Sequence, residues 1–85
     1  MGWVVVVDRC EGYDVFEFEN VTEALHCFAD KVNQLLNACG YSAEEVLRNG
    51  KAEDIEANVD FKPLLIARID YDIREYDLVA VGIKQ

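Results

Sequence analysis

The sequence predicts an α+β fold: an antiparallel four-stranded sheet of two β-hairpins, in ββααββ order, with one long amphipathic helix packed on one face. Three observations lead there. Pairs of β-prone segments stand at both ends of the chain, and the run between them carries apolar residues at helical spacing. The 85 residues, 52% of them apolar, are enough for one core and too few for a second. Residues 1–85 are therefore expected to be a single domain.

In the first hairpin, Trp3 to Arg9 and Tyr13 to Glu19 flank Cys10-Glu11-Gly12. Glycine in the third place of a three-residue loop suits a left-handed backbone. This register sets Val4 opposite Phe18 and Val6 opposite Phe16, and those four residues make the expected core face. The other face would carry Trp3, Val5, Val7 and Val15 beside Glu17 and Glu19. A first strand that is apolar on both sides reads as an inner strand.

Asn20 can cap a helix, with Glu23 as its capping-box partner. Val21, Leu25, Phe28, Val32, Leu35, Leu36 and Cys39 then follow at helical spacing, and Gly40 stands where a C-terminal cap belongs. Glu23, His26, Cys27, Asp30 and Gln34 fall on the opposite, wet stripe. Ser42-Ala43-Glu44-Glu45 is a second capping box, stapled by Tyr41 and Val46, and Asn49-Gly50 would stop that helix after about two turns. Lys51 to Lys62 supports two patterns. Its Ala, Glu and Lys content predicts a short helix over residues 52–57, whereas Ile55, Ala57, Val59 and Phe61 alternate with polar residues like an edge strand.

After Pro63, Leu64 to Asp72 and Tyr76 to Lys84 read as the last two strands. An odd-length loop around Ile73-Arg74-Glu75 places Leu65, Ala67, Ile69 and Tyr71 on one face with Val79, Val81 and Ile83. Leu64, Ile66, Arg68, Leu78 and Ala80 then share the other face with Asp70 and Asp72. Two helices cover only one face of such a sheet, so the second apolar face predicts a homo-oligomer, most simply a homodimer.

Seventeen acidic residues against eight basic ones give a net charge of -9. No basic patch stands in the sequence, which disfavours direct binding to nucleic acid, an interaction that draws on clustered Lys and Arg. The apolar runs Val4 to Val7 and Leu64 to Ala67 are far shorter than the about 20 residues that span a bilayer, so no membrane partner is expected. Met1-Gly2-Trp3-Val4 lacks the basic region and apolar core of a signal peptide. Cys10, Cys27 and Cys39 are an odd set without short spacing, unlike a secreted disulfide scaffold. Together these features predict a cytoplasmic protein.

Candidate chemistry is sparse. Glu23-x-x-His26, with Asp30 a turn further on, matches a di-iron ligand element, but it lies on the wet stripe and the chain has no second histidine. Cys27 and Cys39 stand about 18 Å apart along a helix axis and cannot share a zinc ion. His26 points about 100° away from Cys27, and nothing orients it as a base. Carboxylates at strand ends, Asp8 with Asp14 and Asp70, Asp72 and Asp77, are hairpin-end charges before they are a magnesium site or an acid and base pair. No phosphate loop, dinucleotide fingerprint or nucleophile elbow occurs. Neither catalysis nor a cofactor is expected, and a metal-dependent hydrolase is the remote alternative.

The acids are the remaining feature. Glu11, Asp14, Glu17 and Glu19 cluster on the first hairpin, and Asp70, Asp72, Glu75 and Asp77 on the last. Carboxylates at alternate strand positions recur about every 7 Å, close to the phosphate spacing of nucleic acid. In size and charge the chain resembles the phage and plasmid inhibitors that occupy a nucleic-acid-binding groove on a host enzyme. That resemblance implies a small viral or plasmid anti-defence protein whose partner is a basic surface, and these eight acids are its expected partner-binding residues. The alternative function is a structural homo-oligomer whose acids only keep it in solution.

Overall fold

A computed structural model describes residues 2–9, 11–40, 46–72 and 75–85, apart from the side chain of Cys39. Five strands, β1 (Trp3–Arg9), β2 (Gly12–Phe18), β3 (Leu47–Asn49), β4 (Phe61–Asp70) and β5 (Tyr76–Lys84), form one antiparallel sheet in the order β2-β1-β5-β4-β3. The helix α1 (Val21–Cys39) lies between β2 and β3 in the chain. The α+β class with a long helix on one face matches the expectation, but the sheet has five strands rather than four.

The extra strand takes the last three residues of the expected second helix, and Val46 just before it is helical. Leu47, Arg48 and Asn49 pair with Ile69, Arg68 and Ala67, extending the sheet beyond β4. A two-turn helix is marginal without tertiary support, and these residues instead satisfy their backbone along the edge of a ten-residue strand. The second capping box, Ser42 to Glu45, lies outside the described residues.

Helix α1 starts and stops where the sequence says. Asn20 accepts a hydrogen bond from the Glu23 amide at 2.9 Å, and Gly40 closes the helix with φ 70°. The buried stripe is rotated from the expected one. Ala24, Cys27, Phe28, Val32, Leu35 and Leu36 pack on the sheet, while Val21 and Leu25 are exposed at its margin. Ala24, fully buried in the first turn, takes the place of the larger Val21 and Leu25, since a small side chain lets the helix lie close to the sheet.

The first hairpin is slipped by one residue from the expected register. Trp3 pairs with Phe18, Val5 with Phe16 and Arg9 with Gly12. Gly12, at φ 146°, is thus the first residue of β2 rather than the last of a loop. A slip of one exchanges faces. Trp3, Val5, Val7, Phe16 and Phe18 meet the helix, and Val4 and Val6 point away from it. Because Val4 to Val7 are apolar throughout, β1 itself gives no preference, and the Gly12 turn sets the pairing.

The last hairpin keeps its predicted faces but is shifted by two residues: β4 ends at Asp70 rather than Asp72, Asp70 lies opposite Tyr76, and Ala67 and Ile69 lie opposite Val79 and Asp77 instead of Val81 and Val79. Ala67, Ile69, Val79 and Val81 join the helix-side core. Strand β4 begins earlier than expected, at Phe61, and a bulge between Pro63 and Leu65 takes up the irregularity at proline.

Away from the helix, Val4, Val6, Leu78 and Ala80 are also buried. The cover is the segment between β3 and β4. It leaves the sheet at Gly50, whose Cα side lies against Ile66 and Leu78. A 3₁₀ turn over Ala52–Asp54 follows, and the Glu56 amide then donates to Asp8 Oδ2 at 2.7 Å. Finally the Asp60 carbonyl accepts from the Gln85 amide at 3.0 Å. Ile55, Ala57 and Val59 are half-buried while Glu56, Asn58 and Asp60 are exposed, so the alternating pattern, rather than a helix over residues 52–57, describes this stretch. The open second face that predicted a homodimer is therefore closed within a single chain.

Candidate functional site

Pairing of β1 with β5 decides where the acids meet. Asp8 lies opposite Leu78, so the turn leaving β1 and the turn entering β5 sit at the same end of the sheet. Glu11, Asp14, Asp70, Asp72, Glu75 and Asp77 gather there, whereas Glu17 and Glu19 stand at the opposite end beside Lys84 and Trp3. Between the two turns is an open cleft of about 580 Å³, walled by Arg9, Glu11, Tyr13 and Asp14 from the first hairpin and by Tyr71, Glu75 and Asp77 from the last. Backbone bonds brace the second wall: the Tyr71 and Asp72 amides donate to the Glu75 carbonyl, each at 3.2 Å, and the Glu75 amide returns to Asp72 at 3.3 Å.

The eight candidate acids are not equivalent. Arg9 Nη2 holds Asp14 Oδ2 at 2.8 Å, Arg68 Nε holds Asp70 Oδ1 at 2.7 Å, and Lys84 pairs with Glu17 across β1. Asp77 is only 7% exposed and accepts a hydrogen bond from the Tyr71 hydroxyl at 3.0 Å, so it serves the fold rather than a surface. Glu11, Glu19, Asp72 and Glu75 are exposed. Continuous strand rows of carboxylates do not form. Along β2, Asp14 points to the helix side and Glu17 to the other, and Glu19 and Asp72 lie in bends outside the strands. The array is built across two turns instead of along a strand.

Arginine completes the acidic end. The Arg68 guanidinium lies 3.9 Å from the centre of the Tyr76 ring, and its pKa is raised chiefly by the hydrogen bond it donates to Asp70. No sequence pattern announces this contact; only the register that sets Arg68 opposite Leu78 and Asp70 opposite Tyr76 brings the three side chains to one face.

The other candidates separate. Asp8 and Asp14 occupy opposite faces of the sheet, and Asp8 is spent on the Glu56 amide. Glu23, His26 and Asp30 are exposed on α1, and among the described residues no three potential ligands converge on a metal position. Cys27, expected on the wet stripe, is half-buried against the core, and burial pushes its thiol pKa up. Among the described residues no helix is long and apolar enough to cross a membrane. Comparison with protein-family models, curated proteins and solved structures gives no match to this chain.

Proposed function

We propose that the protein is an acidic binding module that docks its hairpin-turn end on a basic surface of another protein. The observation that carries this reading is the side-by-side placement of the two turns by the β1 and β5 pairing, which converts dispersed acids into one cleft with Glu11 and Glu75 on its walls. Glu75, held by backbone bonds to Tyr71 and Asp72, loses little conformational freedom on binding, whereas an acid on a loose segment would have to be ordered. The net charge of -9 adds a long-range field that steers a cationic partner toward the chain. Tyr13 and Tyr71 on the cleft walls offer apolar and hydrogen-bonding contact beside the charge.

A narrower form of the reading makes the partner a nucleic-acid-binding enzyme and the protein a competitor for its groove. Because the strand rows are absent, charge and the turn-end cleft support this form, and phosphate-like spacing does not. Affinity capture tests both. The immobilised chain should retain a cytosolic protein at low salt, release it along a salt gradient, and lose it to added DNA or RNA. A Glu11→Lys and Glu75→Lys double variant should retain it poorly. Equal retention by the variant would remove the cleft as the surface, and release by salt but never by nucleic acid would remove the competitor form.

The homo-oligomer reading now rests on Leu64 and Leu65, 52% and 51% exposed at the β4 bulge, instead of on a whole sheet face.

A further inference from the structure

We propose that the outer edge of β2 takes a basic, extended segment of another protein by strand addition. The inference rests on the reading of a basic partner and specifies how part of it would be held. Strand β2 is an end strand of the sheet, and among the described residues nothing pairs with its outer side. The hydrogen-bonding phase of that edge follows from one contact. Lys84 donates its amide to the Gly2 carbonyl at 3.0 Å, and the register pairs Trp3 with Ile83, so Gly2 and Lys84 are a bonded pair of the β1 and β5 ladder. Bonded pairs alternate along an antiparallel ladder. Even-numbered residues of β1 therefore bond toward β5 and odd-numbered ones toward β2, where their partners are Gly12, Asp14, Phe16 and Phe18. Tyr13, Val15 and Glu17 are left with their amides and carbonyls directed outward, a template for one more strand.

Of the devices that usually blunt such an edge, β2 has only its acids, Asp14 and Glu17, which repel an acidic strand and attract a basic one. Strand β2 runs for seven residues, Gly12–Phe18, with no proline, no lysine and no bulge against β1. The opposite edge differs: β3 has three residues and one of them is Arg48. The charge on β2 is all of one sign, from Asp14 and Glu17 with Glu11 and Glu19 at its two ends. A second copy would bring the same acids to the same edge, which disfavours self-pairing and makes a cationic strand the complementary occupant. The chain's own cations mark the contacts such a strand would make. Arg9 and Lys84 sit on Asp14 and Glu17 in exposed pairs weak enough to exchange, and Lys31 Nζ lies 4.7 Å from the centre of the Phe16 ring.

The experiment follows amide hydrogen exchange by NMR while a short peptide alternating lysine and valine is added at low salt. Exchange at Tyr13, Val15 and Glu17 should slow, while Asp14 and Phe16, already bonded to β1, should change little. A peptide alternating glutamate and valine should not bind. Val15→Pro removes an outward amide that the ladder does not use, so the fold should survive, and affinity should drop roughly tenfold as one hydrogen bond is lost and the ring obstructs the approaching strand. Because protection is read on the unaltered chain, the outcome does not depend on that variant folding. A lysine peptide that shifts Glu11 and Glu75 but leaves the β2 amides unprotected would overturn strand addition and keep the cleft reading. Equal binding of the glutamate peptide would overturn the charge argument, and no salt-dependent binding of the lysine peptide would overturn strand addition together with the basic partner.

Discussion

Gly82 is the position where one methyl group should cost most. It sits in β5 opposite Pro63, where β4 bulges, and a β-carbon built there would lie 2.2 Å from the Lys62 carbonyl oxygen and 2.8 Å from Pro63 Cα. Both obstacles are backbone, so no rotamer change relieves them. The start of β4 would have to move away by about an ångström, beyond the tolerance of hydrogen bonds that hold at about 2.9 Å. Loss of two or three ladder bonds at about 1 kcal/mol each, or the strain of an overpacked contact, puts Gly82→Ala at about 2 to 4 kcal/mol. Two other glycines calibrate the estimate. At Gly50 the nearest atom would be Ile66 Cγ2 at 2.4 Å, a side chain able to shift, so Gly50→Ala should cost about half as much. At Gly2 nothing lies closer than 3.8 Å, and Gly2→Ala should be close to neutral. Urea unfolding with a two-state fit measures all three. Indistinguishable stabilities for Gly82→Ala and Gly2→Ala would refute the close approach of β4 to β5 and the bulge derived from it.

Phe28→Ala should cost about 2 to 3 kcal/mol in the same urea titration, below the usual 3 to 5 for a buried phenylalanine because Phe28 is only half-buried. Cys27 should be alkylated more slowly than an unfolded thiol at mildly alkaline pH, as read by site-resolved mass spectrometry, since burial holds its pKa up and the thiolate is the nucleophile. The same shift means that folding holds the proton more tightly; its contribution is full below the unfolded thiol pKa and is lost as pH rises through the folded one. Stability should fall with pH in that alkaline window, and Cys27→Ala should lessen the slope. Sedimentation equilibrium at micromolar concentration should return the 9.7 kDa monomer, because the face opposite the helix is already covered; a dimer abolished by Leu64→Asp and Leu65→Asp would move the interface to the bulge.

Local signals in the sequence carried as far as local chemistry determines structure. The Asn20 cap, the Gly40 stop and the two faces of the last hairpin were legible because each depends on residues near one another, whereas its register came out two residues away. In the last hairpin, Ile69 and Tyr71 alternate with Arg68, Asp70 and Asp72, which selects one face. The first hairpin lacked that information. Val4 to Val7 are apolar on both sides, so either register buries them equally, and a glycine can close a loop or open a strand. Strand β3 was hidden for a related reason: Leu47-Arg48-Asn49 has no strand pattern of its own, and its pairing is set by the exposed edge of β4. At the candidate site, sequence identified the acids but not their grouping. The separation of Glu17 and Glu19 from the others follows from β1 pairing with β5, a contact between the two ends of the chain.

That grouping can be tested at the surface it creates. Association rates with a captured basic partner, followed against ionic strength, should be compared for the unaltered chain, for Glu11→Lys with Glu75→Lys at the cleft, and for Glu17→Lys with Glu19→Lys at the far end. Reversal at the cleft should slow association by about tenfold or more at low salt and flatten its salt dependence, because charges at the contact steer the encounter most strongly. Reversal at the far end, beyond a Debye length of about 8 Å from the cleft at physiological salt, should slow association much less, and its cost should appear instead in dissociation, where a strand held along β2 meets Glu17. Equal slowing by the two double variants would show that only net charge matters, and slowing by the far-end variant alone would place the binding surface at the wrong end of the sheet.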